Sequence, residues 1–423
     1  MFSLTKKGIY SLCTAHETIL AAACRRAARE GSYLLVESTS NQVDQFGGYT
    51  GLTPAAFVAF LKQIAGKQGL HASRLILGGD HLGPNRWQTE AADQAMDKAV
   101  TLVKAYVEAG YRKIHLDTSM ACAGDQTNTS GLPDVKLVAQ RAAQLCQAAE
   151  TCSETDQKPW YVIGTDVPIP GGARDDLSQI RISRVDEVEE TISLTRQAFQ
   201  RLGLQSAWER VVAVVVQPGV EFSDDRVILY DPEKTIHLSG FIKAKKPMVY
   251  EAHSTDYQKK ESLKKMVKDG FAILKVGPWL SYAFREVIFA LAAIEKELVR
   301  HSKSLQSSDL VETIERRMIG NPIYWKNHYR GSEEEIAIKR KYSYSDRIRY
   351  YWPDKEIASS LKKLMKNFSA LSIPRSMLSQ YLPFQYEAVL QERCANKATA
   401  LIDFGIERIL DIYDFAVSKE NGK

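Results

Sequence analysis

No CxxC pair occurs in this chain, and its six cysteines (Cys13, Cys24, Cys122, Cys146, Cys152 and Cys394) show no spacing typical of a disulfide framework. That excludes a disulfide-stapled secreted scaffold and predicts free thiols in a reducing cytoplasm. Cys13 and Cys122 fall near predicted strand ends, where buried packing is the expected role. No apolar stretch is long enough to span a bilayer and no secretory signal is visible, so neither an anchor nor export is expected. Charge of one sign is scarce too: 56 basic against 51 acidic residues leave a net +5, spread without long runs. That is too weak to predict a nucleic-acid or membrane partner. The short Lys243–Lys246 cluster reads as a solvated loop.

What the chain has is a repeat of short apolar runs. Ile9–Cys13, Tyr33–Glu37, Arg74–Asp80, Lys113–Asp117, Trp160–Asp166, Val211–Gln217, Pro247–Glu251 and Phe271–Lys275 are rich in β-branched residues and lack polar alternation. Such runs suit parallel strands buried on both faces. Between them lie stretches with helical spacing, such as 54–67, 90–109 and 184–202. Eight strand–helix units predict an α/β fold, a (β/α)8 barrel, whose active site collects at the C-terminal strand ends. Most of the runs end there on a residue able to do chemistry.

A minimal barrel needs about 250 residues, so the 423 residues leave a remainder. The expected division is a barrel over 1–300 and a helical extension over 301–423 packed on it. Helices are predicted near 295–305, 310–319, 357–368 and 395–416. Ser343–Pro353 is dense in Arg and aromatics. Packing across the barrel or in a subunit interface is its leading reading. A phosphate contact from Arg347 or Arg349 comes second, and nucleic-acid stacking a distant third.

The strongest motif is Leu77–Asn85, which places Asp80 and His81 at the third strand's exit. A neutral imidazole ligates Zn²⁺ well, and the adjacent carboxylate can move a proton. Flanking glycines are expected to let substrate approach the backbone. An isolated Asp-His pair is more simply a helix cap and a packed loop residue. Tyr250–Tyr257 shifts that balance by adding Glu251, His253 and Asp256 at the seventh strand's exit. Asp117, Asp166 and Gln217 end strands four, five and six. Two histidines with carboxylates predict a Zn²⁺, Mn²⁺ or Co²⁺ site with an open position.

Other positions are assigned by place. His16 follows the first strand and could touch substrate, whereas His115 lies within the fourth and is expected to be structural. His71, His237, His301 and His328 are also left structural. The polar, Gly-rich loop Glu37–Gly51, with Glu37, Asn41 and Gln45, suits sugar hydroxyls. Asn85, Lys275 and Arg347 complete the substrate-binding set. Thr165–Gly172 could be a lid. Lys275 raises a Schiff-base mechanism, set against the simpler expectation of a lysine paired to a carboxylate.

Asn41–Gly51, Ile76–Asn85, Val216–Phe222, Tyr250–Gln258 and Ser345–Pro353 closely resemble the Z subunit (GatZ/KbaZ type) of D-tagatose-1,6-bisphosphate aldolase. The resemblance covers essentially the whole chain, and segments this long are specific to the family. Older naming called such proteins tagatose 6-phosphate kinases, yet the chain has no P-loop or other nucleotide motif. The resemblance implies a barrel related to class II aldolases, where Zn²⁺ polarises a ketose carbonyl and an Asp moves the hydroxyl proton. Asp80 matches that acid/base, and His81 and His253 match metal ligands. Gln217 stands where the catalytic aldolase subunit has His, and Ser254–Tyr257 replaces a Gly-rich phosphate loop. The implied role is an oligomeric accessory subunit, supporting a separate Y-type catalytic subunit that works on a ketose sugar phosphate. The alternative is an autonomous metal-dependent ketose 4-epimerase acting by retro-aldol and aldol steps.

Overall fold

A computed structural model describes residues 8–129, 131–153, 158–165, 180–300, 302 and 304–418. All eight apolar runs form strands: β1 (Ile9–Leu12), β2 (Leu34–Thr39), β3 (Leu75–Leu82), β4 (Lys113–Leu116), β5 (Trp160–Ile163), β6 (Val211–Val215), β7 (Val249–Ala252) and β8 (Phe271–Val276). Neighbours are parallel throughout, and β1 pairs with both β2 and β8, so the sheet closes in sequential order. The chain is a (β/α)8 barrel.

Helices α1 (Glu17–Glu30), α2 (Pro54–Lys67), α3 (Ala92–Glu108), α4 (Val135–Cys152), α5 (Val185–Arg201) with the short α6 (Gln205–Trp208), α7 (Ile236–Ala244), α8 (Lys260–Lys268) and α9 (Pro278–Val299) connect and follow the strands. In α2 the Thr53 hydroxyl accepts from the Ala56 amide and Pro54 opens the first turn, both standard start signals. Its buried Phe57, Val58, Leu61, Ile64 and Ala65 recur at helical spacing and face the sheet. A two-stranded hairpin, Glu221–Phe222 with Val227–Ile228, lies between β6 and α7.

Strand residues divide by period two. Tyr161, Ile163, Val214 and Val216 join the large cluster between sheet and helices. Val162, Ala213, Val215, Val249 and Ile273 form a small separate cluster inside the barrel. The mouth-side interior is charged instead: Glu37, Asp80, Lys113, Glu251 and Lys275 are all buried. Glu37, Gly78 and Lys113 share one register level. A Cβ at 78 would come within 2.5 Å of Glu37 Cγ, and one at 79 within 2.5 Å of Leu82. These glycines therefore make room for protein side chains, not for a substrate's approach. Gly83 is tighter still, since its Cβ would fall 1.6 Å from the Asp117 carbonyl oxygen.

Beyond the barrel run α10 (Leu310–Gly320), α11 (Glu333–Tyr342), α12 (Lys355–Ala370), α13 (Arg375–Tyr381), α14 (Pro383–Leu390) and α15 (Ala398–Val417). The last packs on α1, α8 and α9. Arg26 of α1 meets Asp411 at 2.6 Å and Asp414 at 2.8 Å. Tyr413 Oη reaches the Thr255 carbonyl at 2.9 Å, which ties α15 to the loop after β7. The helix expected near 295–305 is instead the end of α9, whose buried face continues from Leu280 to Val299. Glu295 is buried there because it accepts from Ser308 and Asn367. In Ser343–Pro353, Ile348, Tyr351 and Trp352 are core residues, and Asp346 pairs with Arg285 at 2.8 Å. Packing is the main role of that segment. No helix among the described residues is long and apolar enough to cross a membrane.

Candidate functional site at the barrel mouth

Strands β2, β3, β4, β7 and β8 aim polar side chains into one buried cluster. Lys275 Nζ contacts Glu37, lies 2.9 Å from Asp80 Oδ1 and 3.5 Å from Glu251 Oε1. Lys113 Nζ bridges Glu37 at 2.8 Å and Glu251 at 2.6 Å. His253 Nε2 sits 3.1 Å from Glu251 Oε1 and 4.0 Å from Asp80 Oδ1. His115 Nδ1 is 2.9 Å from Asp80 Oδ1, while its Nε2 is buried without a hydrogen-bond partner among the described residues.

His81 adopts the left-handed conformation, φ 51°, unusual for a residue with a Cβ. It is fixed by Asp117, whose Oδ2 lies 2.7 Å from His81 Nδ1. Asp117 also accepts from Asn85 Nδ2 and from the Ser119 hydroxyl, each at 2.6 Å. His81 Nε2 then faces Asp80 Oδ2 at 3.6 Å.

These contacts set the charges. Burial pushes the Asp80 carboxyl up, but His81 and Lys275 outweigh it and hold it well below the usual carboxylate range. Burial also opposes ionisation of Glu251, and Lys113 and Lys275 overcome it. Burial alone would lower the Lys275 pKa, yet Asp80 and the neighbouring acids outweigh it and raise it well above its usual value. A lysine held this way is a poor amine nucleophile. For His81 burial is outweighed by Asp80 and Asp117, so its pKa rises. His253 goes the other way, lowered by burial to about 4. The cluster thus offers an ionised Asp80 beside an imidazole that stays neutral.

A cavity opens onto the cluster, lined by Asp80, His81, His253 and Lys275 with Asn41, Gln42, Tyr49, Arg349 and Tyr350. A second hollow adjoins it through Cys13, Gln42 and Arg349 and reaches His16 and Trp352. His16 packs on Phe284 at 4.3 Å between ring centroids.

Of the residues singled out by sequence, Glu37, Asp80, His81, Asp117, Glu251, His253 and Lys275 come together, with Asn85 at the edge through Asp117. Asn41 lines the cavity and His16 the adjoining hollow. Gln217 turns its Oε1 onto the amides of Gly219 (2.8 Å) and Val220 (3.2 Å). Gln45 donates to the Lys98 carbonyl at 3.1 Å. Arg347 is buried and donates to the Tyr324 carbonyl at 3.0 Å. Asp166, and most of the lid expected at 165–172, lie outside the described residues.

Sequence reasoning missed Lys113, and it placed His115 among structural residues. Both belong to the cluster. The alternation Lys113-x-His115-x-Asp117 carried the signal, because residues two apart on a strand share a face. Among the described residues, ligand atoms of Asp80, His115, Glu251 and His253 lie within 4.8 Å of one another and could hold a metal ion.

The family model described as D-tagatose-1,6-bisphosphate aldolase subunit GatZ/KbaZ-like matches residues 3–418. A Salmonella dublin protein named D-tagatose-1,6-bisphosphate aldolase subunit GatZ is 46% identical over 415 residues, spanning 98% of this chain and 96% of the relative. A Klebsiella pneumoniae protein of the same name matches to the same extent. In structure, a Sinorhizobium meliloti 1021 protein described as a "probable tagatose 6 phosphate kinase" superposes with a TM-score of 0.88 at 40% identity, over 97% of this chain and all of that one. With the barrel and the acidic, histidine-bearing mouth in place, these matches agree over nearly the whole length: the chain belongs to the D-tagatose-1,6-bisphosphate aldolase subunit GatZ/KbaZ-like family.

Proposed function

We propose that this chain is the Z-type subunit of a class II D-tagatose-1,6-bisphosphate aldolase, a cytoplasmic protein of galactitol or N-acetylgalactosamine breakdown. It supports the activity and stability of a separate Y-type catalytic subunit. The observation that carries this reading is the 46% identity to GatZ proteins across 98% of the chain.

The mouth supports a bound ketose or ketose phosphate. Removing an ion from water costs several kcal/mol, and well-packed apolar side chains often replace a buried ion pair without loss. A scaffold alone has no need of Glu37, Lys113, Glu251 and Lys275 packed together. Asp80, ionised and facing the cavity, is the group to take a proton from a sugar hydroxyl and return it. Lys275 and His115, each 2.9 Å from its Oδ1, fix its position, and Asp117 orients His81.

The donors fit a divalent metal such as Zn²⁺, Mn²⁺ or Co²⁺. Asp80, His115, Glu251 and His253 supply mixed nitrogen and oxygen ligands, and the unpartnered His115 Nε2 is a spare donor. When bound, such an ion would polarise a ketose carbonyl as a Lewis acid. Lys275 already supplies one cation on Asp80 and Glu251, so it must shift from those oxygens for the ion to take them.

The test is incubation of the purified chain with a Y-type subunit and tagatose 1,6-bisphosphate. Triose phosphate formation above that of the Y-type subunit alone supports the reading. Interconversion of fructose and tagatose forms by the chain alone, with no effect on the Y-type subunit, would make it a 4-epimerase instead.

A further inference from the structure

Arg349 reaches the mouth from outside the barrel. It lies on a short turn of the extension, Arg347–Tyr350, and lines both the main cavity and the adjoining hollow. Its guanidinium donates to the Ser345 and Asp346 carbonyls and, at 2.8 Å, to Tyr350 Oη. Among the described residues no carboxylate lies within ion-pair distance of it. Asp346, the nearest acid in sequence, is committed to Arg285. The positive field is felt locally: burial pushes the Tyr350 phenol up, yet Arg349 and Arg347 outweigh that and lower its pKa.

In sugar-phosphate barrels the usual anion seat is formed by the loops after strands seven and eight, with backbone amides at a helix N-terminus. Here that place is filled from within. Asp256 Oδ1 accepts from the Gly277 amide at 3.0 Å and the Trp279 amide at 2.8 Å, at the start of α9. A substrate anion at those amides would have to displace a buried carboxylate. Arg349 offers a cation on the same cavity as Asp80; Asp256 also lines that cavity and feels the Arg349 charge, but it lies beyond ion-pair distance and its Oδ1 is taken by the two amides.

We infer that Arg349 is the seat for the anionic end group of an open-chain sugar whose reacting carbons lie beside Asp80. The inference rests on the mouth binding a sugar, as proposed above. A guanidinium suits a phosphate or a carboxylate, each of which it can grip through two parallel bonds. The extension therefore reads the charged end of the ligand, while the barrel holds the reacting end.

Calorimetry on the full chain tests this without turnover or a partner subunit. The probes are fructose, fructose 6-phosphate, fructuronate and inorganic phosphate. The wild type is expected to bind one of the two anionic sugars at least about tenfold tighter than fructose. Which one it prefers identifies the end group as phosphate or carboxylate, and inorganic phosphate competes in the former case. Arg349→Gln should lose that preference and keep its fructose affinity, and Arg349→Lys should keep part of it. Arg349→Gln retaining the preference, or a wild type that binds all three sugars alike, overturns the assignment. Either result would leave activation of the Y-type subunit untouched.

Discussion

Asp80 on β3 and Lys275 on β8 meet at 2.9 Å inside the barrel mouth, although their strands are not neighbours. The same ammonium touches Glu37 and Glu251, so one lysine gathers carboxylates from three strands. Lys113 closes the network from the far side by joining Glu37 to Glu251. The acid/base candidate is thereby held ionised and in place.

Asp80→Asn leaves Lys275 its contacts with Glu37 and Glu251, so the fold should survive. Any sugar turnover by the chain should vanish in Asp80→Asn, His81→Ala and His253→Ala alike. Circular dichroism and product chromatography check the two halves of this statement. Wild-type rates in all three variants would place the chemistry elsewhere.

Lys113→Met should be strongly destabilising, because two buried carboxylates lose a shared partner. Removing one member of a buried ion pair costs about 3–5 kcal/mol. Urea unfolding at neutral pH measures it, and a loss below about 1 kcal/mol, the scale of an exposed pair, would contradict a desolvated network.

Metal content should separate the two sets of candidate ligands. His115→Ala and His253→Ala should each lower the Zn²⁺ retained after dialysis, while Gln217→Ala, whose amide oxygen caps its own turn, should not. Elemental analysis of the dialysed proteins decides. Retention that depends on Gln217 but not on His115 would move the site toward β6.

Acid stability should depend on His16. Burial lowers its imidazole from 6.5 to about 4, and its Nδ1 has no hydrogen-bond partner among the described residues. The unfolded chain takes up this proton first, so the stability is complete above pH 6.5 and lost as pH falls toward 4. At most roughly 3 kcal/mol is involved, and His253 contributes in the same direction. His16→Leu should flatten part of the slope of unfolding free energy between those pH values. An unchanged slope would mean that His16 is solvated.

The barrel was readable because its strands are buried on both faces, which writes them as continuous β-branched runs; all eight run where expected. The extension was less readable. Helices α13 and α14 span only seven and eight residues, too short for a clear apolar period. Asp80, His81 and His253 stood out because they sit at strand exits beside turn residues. Lys113 and His115 lie inside a strand, where a polar residue reads as an interruption of the core unless the facing strands are known. The pairing of Lys113 with Glu251, 138 positions later in sequence, exists only once the barrel closes. Arg349 was one of two arginines left open, and only the fold separates the one at the cavity from the one bonded to Tyr324.

The central claim is that this chain supports a separate catalytic subunit. The most direct measurement is the initial rate of tagatose 1,6-bisphosphate cleavage by a Y-type subunit, titrated with the purified chain. A rate that rises and saturates, with slower thermal inactivation of the Y-type subunit, is the predicted result. A rate and an inactivation half-life that stay flat across the titration would contradict the account.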